Sequence, residues 1–174
     1  MTKLRRRMRA LPFVTVALVV ICGAGVVAQR NYLARDGGQP EVKIMLAGSV
    51  VRAGERVALE RAGEVHPGEV LDWTITSEND GNASAREFKA TGQIPAGTVF
   101  IVGSTTADGS ANVTYSIDHG KTFAAQPTIE ERQADGSAKR IPAPAAMYTQ
   151  VRYEWSDALA AGNKLSATYK VRVK

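Results

Sequence analysis

Sulfur, imidazole and aromatic groups are scarce in this chain, which holds one cysteine, two histidines and 6% aromatic residues among 174. With Cys22 alone, no intramolecular disulfide can form, and any fold must be held by its own apolar core. With only His66 and His119, both in turn-like sequence, an imidazole-based catalytic pair would need nucleophiles or carboxylates converging on them, and no such spacing is present. The chain contains no G-x-S-x-G elbow, no H-E-x-x-H pair and no phosphate loop. We therefore expect both histidines to be exposed turn residues and the chain not to be an enzyme. Charge of one sign is missing from most of the chain as well. The formal net charge is +5, from 22 Lys+Arg against 17 Asp+Glu. Lys3, Arg5, Arg6, Arg7 and Arg9 account for all of that excess. After Ala28 the two signs balance, which argues against a nucleic-acid-binding domain, whose basic excess belongs on its folded part. At 44% hydrophobic and 22% charged residues, the composition excludes a disordered chain.

What is present begins with an export signal. The basic residues 1–9 precede an uncharged run over residues 11–27, which ends in Val26-Val27-Ala28. Small residues there suit cleavage before Gln29, as in a secretory signal peptide. An uncleaved membrane anchor is the other reading. At about 1.5 Å per residue the run spans roughly 25 Å, against a ~30 Å hydrocarbon core. In both readings the basic end stays cytoplasmic and the domain is exported to the periplasm, cell surface or exterior. A lipoprotein site at Cys22 is disfavoured by Ile21, which is not small. Residues 29–41 are polar, with Gly37-Gly38 and Pro40, and form an expected tether. Residues 42–174 make the expected domain.

Over that domain sustained helical periodicity is absent, and alternation with period two recurs between Gly, Pro, Asn and Asp. Strands are expected over 42–46, 57–61, 70–79, 84–91, 98–102, 112–117 and 121–123. Further strands are expected over 128–132, 139–141, 148–155 and 165–173. Turns fall at His66-Pro67-Gly68-Glu69, Ile94-Pro95-Ala96-Gly97 and Asp118-His119-Gly120. A hairpin is expected at Asp80-Gly81-Asn82 and another around Asp135-Gly136. Leu71, Trp73 and Ile75 should face a core, opposite Asp72, Thr74 and Thr76. Val151, Tyr153 and Trp155 should do the same, as should Tyr169, Val171 and Val173. Trp73 and Trp155 are the largest core candidates, with Phe88 anchoring 84–91. Lys170, Arg172 and Lys174 should point outward and discourage edge pairing. Short strands at this spacing predict an all-β fold, a single antiparallel β-sandwich.

The order of these elements resembles a bacterial envelope repeat, the domain of unknown function eleven. The residues carrying the resemblance are Pro67-Gly68-Glu69, Leu71, Trp73-Thr74-Ile75-Thr76, Asn79 and Gly81-Asn82-Ala83. Ile94-Pro95-Ala96-Gly97-Thr98 follows, then Val113-Thr114-Tyr115-Ser116 with Asp118 and Gly120. Val151-Arg152-Tyr153-Glu154-Trp155, Leu159-Ala160-Ala161-Gly162 and Val171-Arg172-Val173 complete it, over about residues 65–173. The resemblance implies an immunoglobulin-like sandwich in the cell envelope, often found in tandem; this sequence carries one copy. It implies no catalytic residue and no ligand.

Several binding readings follow from residue type. Glu78-Asn79-Asp80-Gly81-Asn82 is rich in oxygen ligands but lacks the spacing and distal glutamate of a calcium loop, so no metal and no cofactor are expected. Asn82-Ala83-Ser84 and Asn112-Val113-Thr114 match the glycosylation sequon, which matters only in a eukaryotic secretory route. Lys43, Lys89 and Lys164 are candidates for isopeptide crosslinks with Asn79 or Asn163. Residues 126–147, with Glu130, Glu131, Arg132, Lys139 and Arg140, form either a recognition loop or a solvated connection with its own small hairpin. Tyr32, Tyr148 and Phe123 could make a ligand platform. The expected function is a non-enzymatic envelope module contacting another envelope or extracellular protein. Membrane contact would come only through residues 11–27, if uncleaved. The alternative is an envelope binder of carbohydrate or calcium.

Overall fold

The computed structural model describes residues 38–174; the expected signal or anchor lies outside them, as does Tyr32. Among the described residues no helix is long and apolar enough to cross a membrane. The described chain is all-β, with every strand pair antiparallel.

Eleven strands run in chain order: β1 (Val42–Arg52), β2 (Glu55–Ala58), β3 (Val70–Asn79), β4 (Lys89–Gln93), β5 (Thr98–Phe100), β6 (Thr106–Ala107), β7 (Ala111–Ser116), β8 (Thr128–Arg132), β9 (Ala138–Pro142), β10 (Gln150–Trp155) and β11 (Lys164–Val173). A single helical turn, α1 (Leu59–Ala62), follows β2, and a 3-10 turn (Ala145–Met147) precedes β10. The larger sheet has the order β2-β1-β3-β11-β5, with β6 also on β11; the smaller is β4-β10-β7, and β8-β9 form a separate hairpin.

Alternation explains the core. Along β10, Val151, Tyr153 and Trp155 are buried while the residues between them are half-exposed. Ile75 and Leu71 of β3 and Ala167, Tyr169 and Val171 of β11 join them in one cluster with Val50, Ala90 and Phe100. Two sheets thus close on each other as a sandwich. Each buried tyrosine keeps its hydroxyl satisfied across the gap. Tyr153 Oη donates to the Thr168 carbonyl at 2.6 Å, and Tyr169 Oη to the Gln93 carbonyl at 2.5 Å. Burial raises the pKa of both phenols. Tyr169 reaches β4 only because residue 92 is glycine: a Cβ there would stand 2.8 Å from the Tyr169 Cζ.

Five expectations are corrected. The strand expected over 57–61 lies earlier, at Glu55–Ala58, because the chain turns helical at Leu59 and lays that side chain over Gly48. Asp80-Gly81 is not a hairpin tip: β3 ends there and the chain crosses to β4 in the other sheet. The segment 84–91 is regular only from Lys89 onward, preceded by a lone bridge from Ala85 to Leu159. Residues 121–123 form no strand, and only Ala124 bridges back to Tyr115. The charged face of β11 guards no edge, since β11 pairs with β3 on one side and β5 and β6 on the other. Two faces of β3 also differ from simple alternation. Trp73 is half-buried against Gly48 and Leu59, whereas Asp72 is 8% exposed beneath Arg56 and Lys170. The expected strand over 70–79, the turn at 66–69 and the hairpin around Asp135-Gly136 are present as expected.

Candidate functional site

The oxygen-rich run Glu78–Asn82 is the first candidate; Asn79 is turned inward, while Asp80 and Asn82 are exposed. Asn79 is fully buried at the end of β3. Its Oδ1 accepts from the backbone N–H of Glu41 at 3.0 Å and of Gly81 at 3.2 Å. Its Nδ2 donates to the carbonyls of Ala83 at 2.7 Å and Leu159 at 2.9 Å. One side chain therefore ties together the entry to β1, the β3–β4 crossover and the connection into β11. Gln39 adds a second tie, its N–H bonding Asn82 Oδ1 at 2.7 Å. Asp80 pairs with Lys43 at 2.6 Å and Glu78 with Lys164 at 3.0 Å. One oxygen of each of these four side chains already faces a protein donor. Among the described residues no group of three His, Cys, Asp or Glu side chains is placed to hold a metal.

The three lysines are committed in the same way. Lys43 and Lys164 make the pairs just given, and Lys89 meets Glu154 at 3.1 Å. An amine must lose its proton to attack an amide. Hydrogen bonding to Asp80 instead raises the pKa of Lys43 and holds the proton on. Asn79, the proposed electrophile, donates to two carbonyls and faces none of these amines.

His66 and His119 are both exposed in turns, as expected. His119 adopts φ +58°, and its backbone N–H bonds Thr149 Oγ1 at 3.1 Å. The turn holding it is built by Asp118, whose carboxylate accepts from Ser116 Oγ, Thr122 Oγ1 and the Thr122 N–H at 2.6–2.9 Å. Those bonds, the one from the Thr122 hydroxyl foremost, hold the Asp118 pKa far below the usual carboxylate range.

The two described aromatic candidates, Phe123 and Tyr148, do not pair with each other. Phe123 lies under the Arg152 guanidinium, 3.4 Å from its ring centroid. Tyr148 stacks at 5.5 Å on Phe100 and touches Tyr115, forming the sandwich's lower aromatic seam. A groove of about 520 Å³ is lined by Glu87, Lys89, Asn112, Glu154, Trp155 and Ser156. Two of its three charged side chains, Lys89 and Glu154, pair with each other at 3.1 Å. The 126–147 segment carries the hairpin β8–β9, pinned at its base by the Ala143 N–H on the Pro127 carbonyl at 2.9 Å. The charged Glu130, Glu131, Arg132, Lys139 and Arg140 are all exposed on it.

One polar cluster has no single-residue signal in the sequence. Arg52, at the end of β1, clamps Glu69 through both oxygens, at 2.8 Å and 3.0 Å. It also donates to the carbonyls of Ala62 and Glu64, each at 2.6 Å. The His66 N–H completes the Glu69 carboxylate at 2.7 Å. Arg52, with that N–H second, lowers the Glu69 pKa to about 2. Four of the five Arg52 N–H groups are used within the protein, so the cluster is a brace for the α1 loop and the start of β3. Comparison with family models, curated proteins and solved structures finds no match to this chain.

Proposed function

We propose that the chain is an exported, non-enzymatic module of a bacterial cell envelope, built on an immunoglobulin-like sandwich and acting through contacts with another envelope or extracellular protein. The observation that carries this reading is the join in the sequence: a basic, then apolar, export-type leader followed by a charge-balanced β domain. The form of the domain supports it. A braced sandwich holds the hairpin β8–β9 out from both sheets, with charged side chains on its surface. Rigid frames that present polar loops suit recognition of a macromolecular surface. The Asn79 and Arg52–Glu69 clusters spend their hydrogen bonds on the protein's own backbone and side chains, which fits a structural or adhesive part better than a reaction centre.

Cell fractionation with protease accessibility tests the reading. Expected is a domain cleaved by external protease once the outer barrier is opened. A domain found protected in the cytoplasm overturns it. Sequencing the N-terminus of protein from isolated envelopes then separates the two forms. A start at Gln29 means a released module, and an intact leader means a tethered one.

A further inference from the structure

The N-terminal half of β1 has one open edge and is exposed along most of its length. β3 pairs with one side of it from Val42 to Val50. On its other side β2 reaches only as far as Ser49, opposite Ala58. Among the described residues nothing pairs with the outward edge of residues 42–48. The ladder parity shows which groups are free. Asp80 N–H bonds the Glu41 carbonyl at 2.9 Å, so Glu41, Lys43, Met45 and Ala47 direct their polar groups toward β3. Val42, Ile44, Leu46 and Gly48 direct theirs outward.

The side chains match this open ladder. Ile44, Met45 and Leu46 are 49%, 56% and 44% exposed, among the largest exposed hydrophobics described. Ile44 and Leu46 share the sandwich-facing side of the sheet with Ile75 and Leu71, yet the three-stranded sheet does not extend over β1. Of the usual edge defences one is present, Lys43, and Asp80 pairs with it at 2.6 Å; residues 42–48 contain no proline and no inward-pointing charge.

We propose that a second copy of this chain docks on this edge, β1 against β1 and antiparallel, so that the two larger sheets run on into one another. A two-fold axis makes each residue meet its mirror position. That suits this segment because its apolar residues are central and its one charge is not. Centred on Ile44, the pairing sets Lys43 against Met45 of the other copy; centred on Met45, it sets Lys43 against Ala47. In neither do like charges meet, and Asp80 already neutralises Lys43 within its own chain at 2.6 Å. The balanced charge beyond Ala28 leaves no long-range repulsion between copies. One strand edge is a small interface beside the ~1,200–2,000 Å² of a stable complex. The dimer is therefore of the weak, concentration-dependent kind, and a covalent trap is the right probe. The pairing does not depend on where in the cell the chain resides.

The test is disulfide trapping in the full chain with Cys22→Ser, purified in detergent and treated with a mild oxidant. Ile44→Cys, Met45→Cys and Leu46→Cys are made singly, since the two-fold brings one of these positions opposite its own copy within disulfide reach. Val51→Cys is the control, equally exposed at 58% but on the stretch that β2 covers. Expected is a dimer band, lost on reduction, at one of positions 44–46 and weak at 51. Adding Lys at the neighbouring position, Leu46→Lys in the 44 variant or Ile44→Lys in the 45 and 46 variants, should remove the band without lowering the melting temperature. No dimer at any of the three positions overturns the proposal. Equal trapping at position 51 does so too, because it would report contact through another surface.

Discussion

Replacing Asn79 should cost far more than its polar, turn-like sequence context suggests. In Asn79→Ala the part-buried Ala83 carbonyl loses its side-chain donor. A shielded acceptor left alone costs about 1–2 kcal/mol. The Leu159 carbonyl is less affected, because it also accepts from the Ala85 N–H at 2.9 Å. The N–H groups of Glu41 and Gly81 lie nearer the surface and can turn to water. Losing these three bonds costs about 0.5 kcal/mol each, which brings the total to about 3 kcal/mol. For a domain of this size that corresponds to a fall in Tm of roughly 10 °C. Thermal unfolding followed by circular dichroism, with a urea midpoint as a second measure, reads it directly. Asn79→Asp adds an independent signature. Its carboxylate would face two carbonyl oxygens where Nδ2 now donates, so the folded state raises its pKa above the unfolded value. The folded variant then binds the extra proton, and its deficit relative to wild type should shrink as pH falls through that raised pKa. A loss below about 1 kcal/mol in Asn79→Ala would refute the idea that this side chain knots the fold.

Other consequences can be measured alongside. Glu69 has its pKa lowered from 4.5 to about 2 by Arg52, so its contribution is full above the unfolded value and is lost as pH falls between those two. Glu69→Gln should flatten the melting temperature over that window, and an unchanged slope would remove Glu69 as its source. Gly92→Ala should destabilise by about 1–3 kcal/mol by pushing on the Tyr169 ring, visible as a lower urea midpoint; a neutral result would mean that β4 can move away. Trp155 is 2% exposed, stacks at 4.7 Å on Phe88 and donates from Nε1 to the Asp108 carbonyl at 2.8 Å. Trp155→Ala should cost about 3–5 kcal/mol, and the half-exposed Trp73→Ala about 1–2 kcal/mol. Equal losses in denaturant titrations would contradict the burial difference.

What was legible in the sequence follows from how each strand is surrounded. β10 has one face in the core and one toward solvent, so its alternation names its end at Trp155 and its buried residues, although the strand begins at Gln150 and not at residue 148. β3 kept its limits but not its faces. Asp72 is covered by Arg56 from β2 and Lys170 from β11, cations far away in sequence that no local pattern announces. β1 was expected to end at residue 46 and runs to Arg52. Its apolar run lacks alternation because the first half meets little of the core on either face. At Asp80-Gly81 the turn chemistry was right and the topology wrong. Such residues serve a hairpin and a sheet crossover equally well, and the choice rests on Asn79 reaching Leu159, eighty residues away. The same distance hid the site's character: oxygen atoms that look like ligands when read in a line are hydrogen-bond acceptors in the fold.

The position of β11 has a consequence for the order of events in the cell. This last strand of the sequence stands in the middle of the larger sheet, between β3 and the short β5 and β6. Synthesis from the N-terminus therefore supplies two flanks long before the strand that joins them. Until residues 164–173 have emerged, Leu71 and Ile75 lack the neighbours that complete their core, and pairing over such sequence separations is slow. A chain exported as proposed would thus leave the ribosome as a loose thread, the form a narrow translocation channel accepts. It would lock only on the far side, when its final segment slides into the gap kept for it.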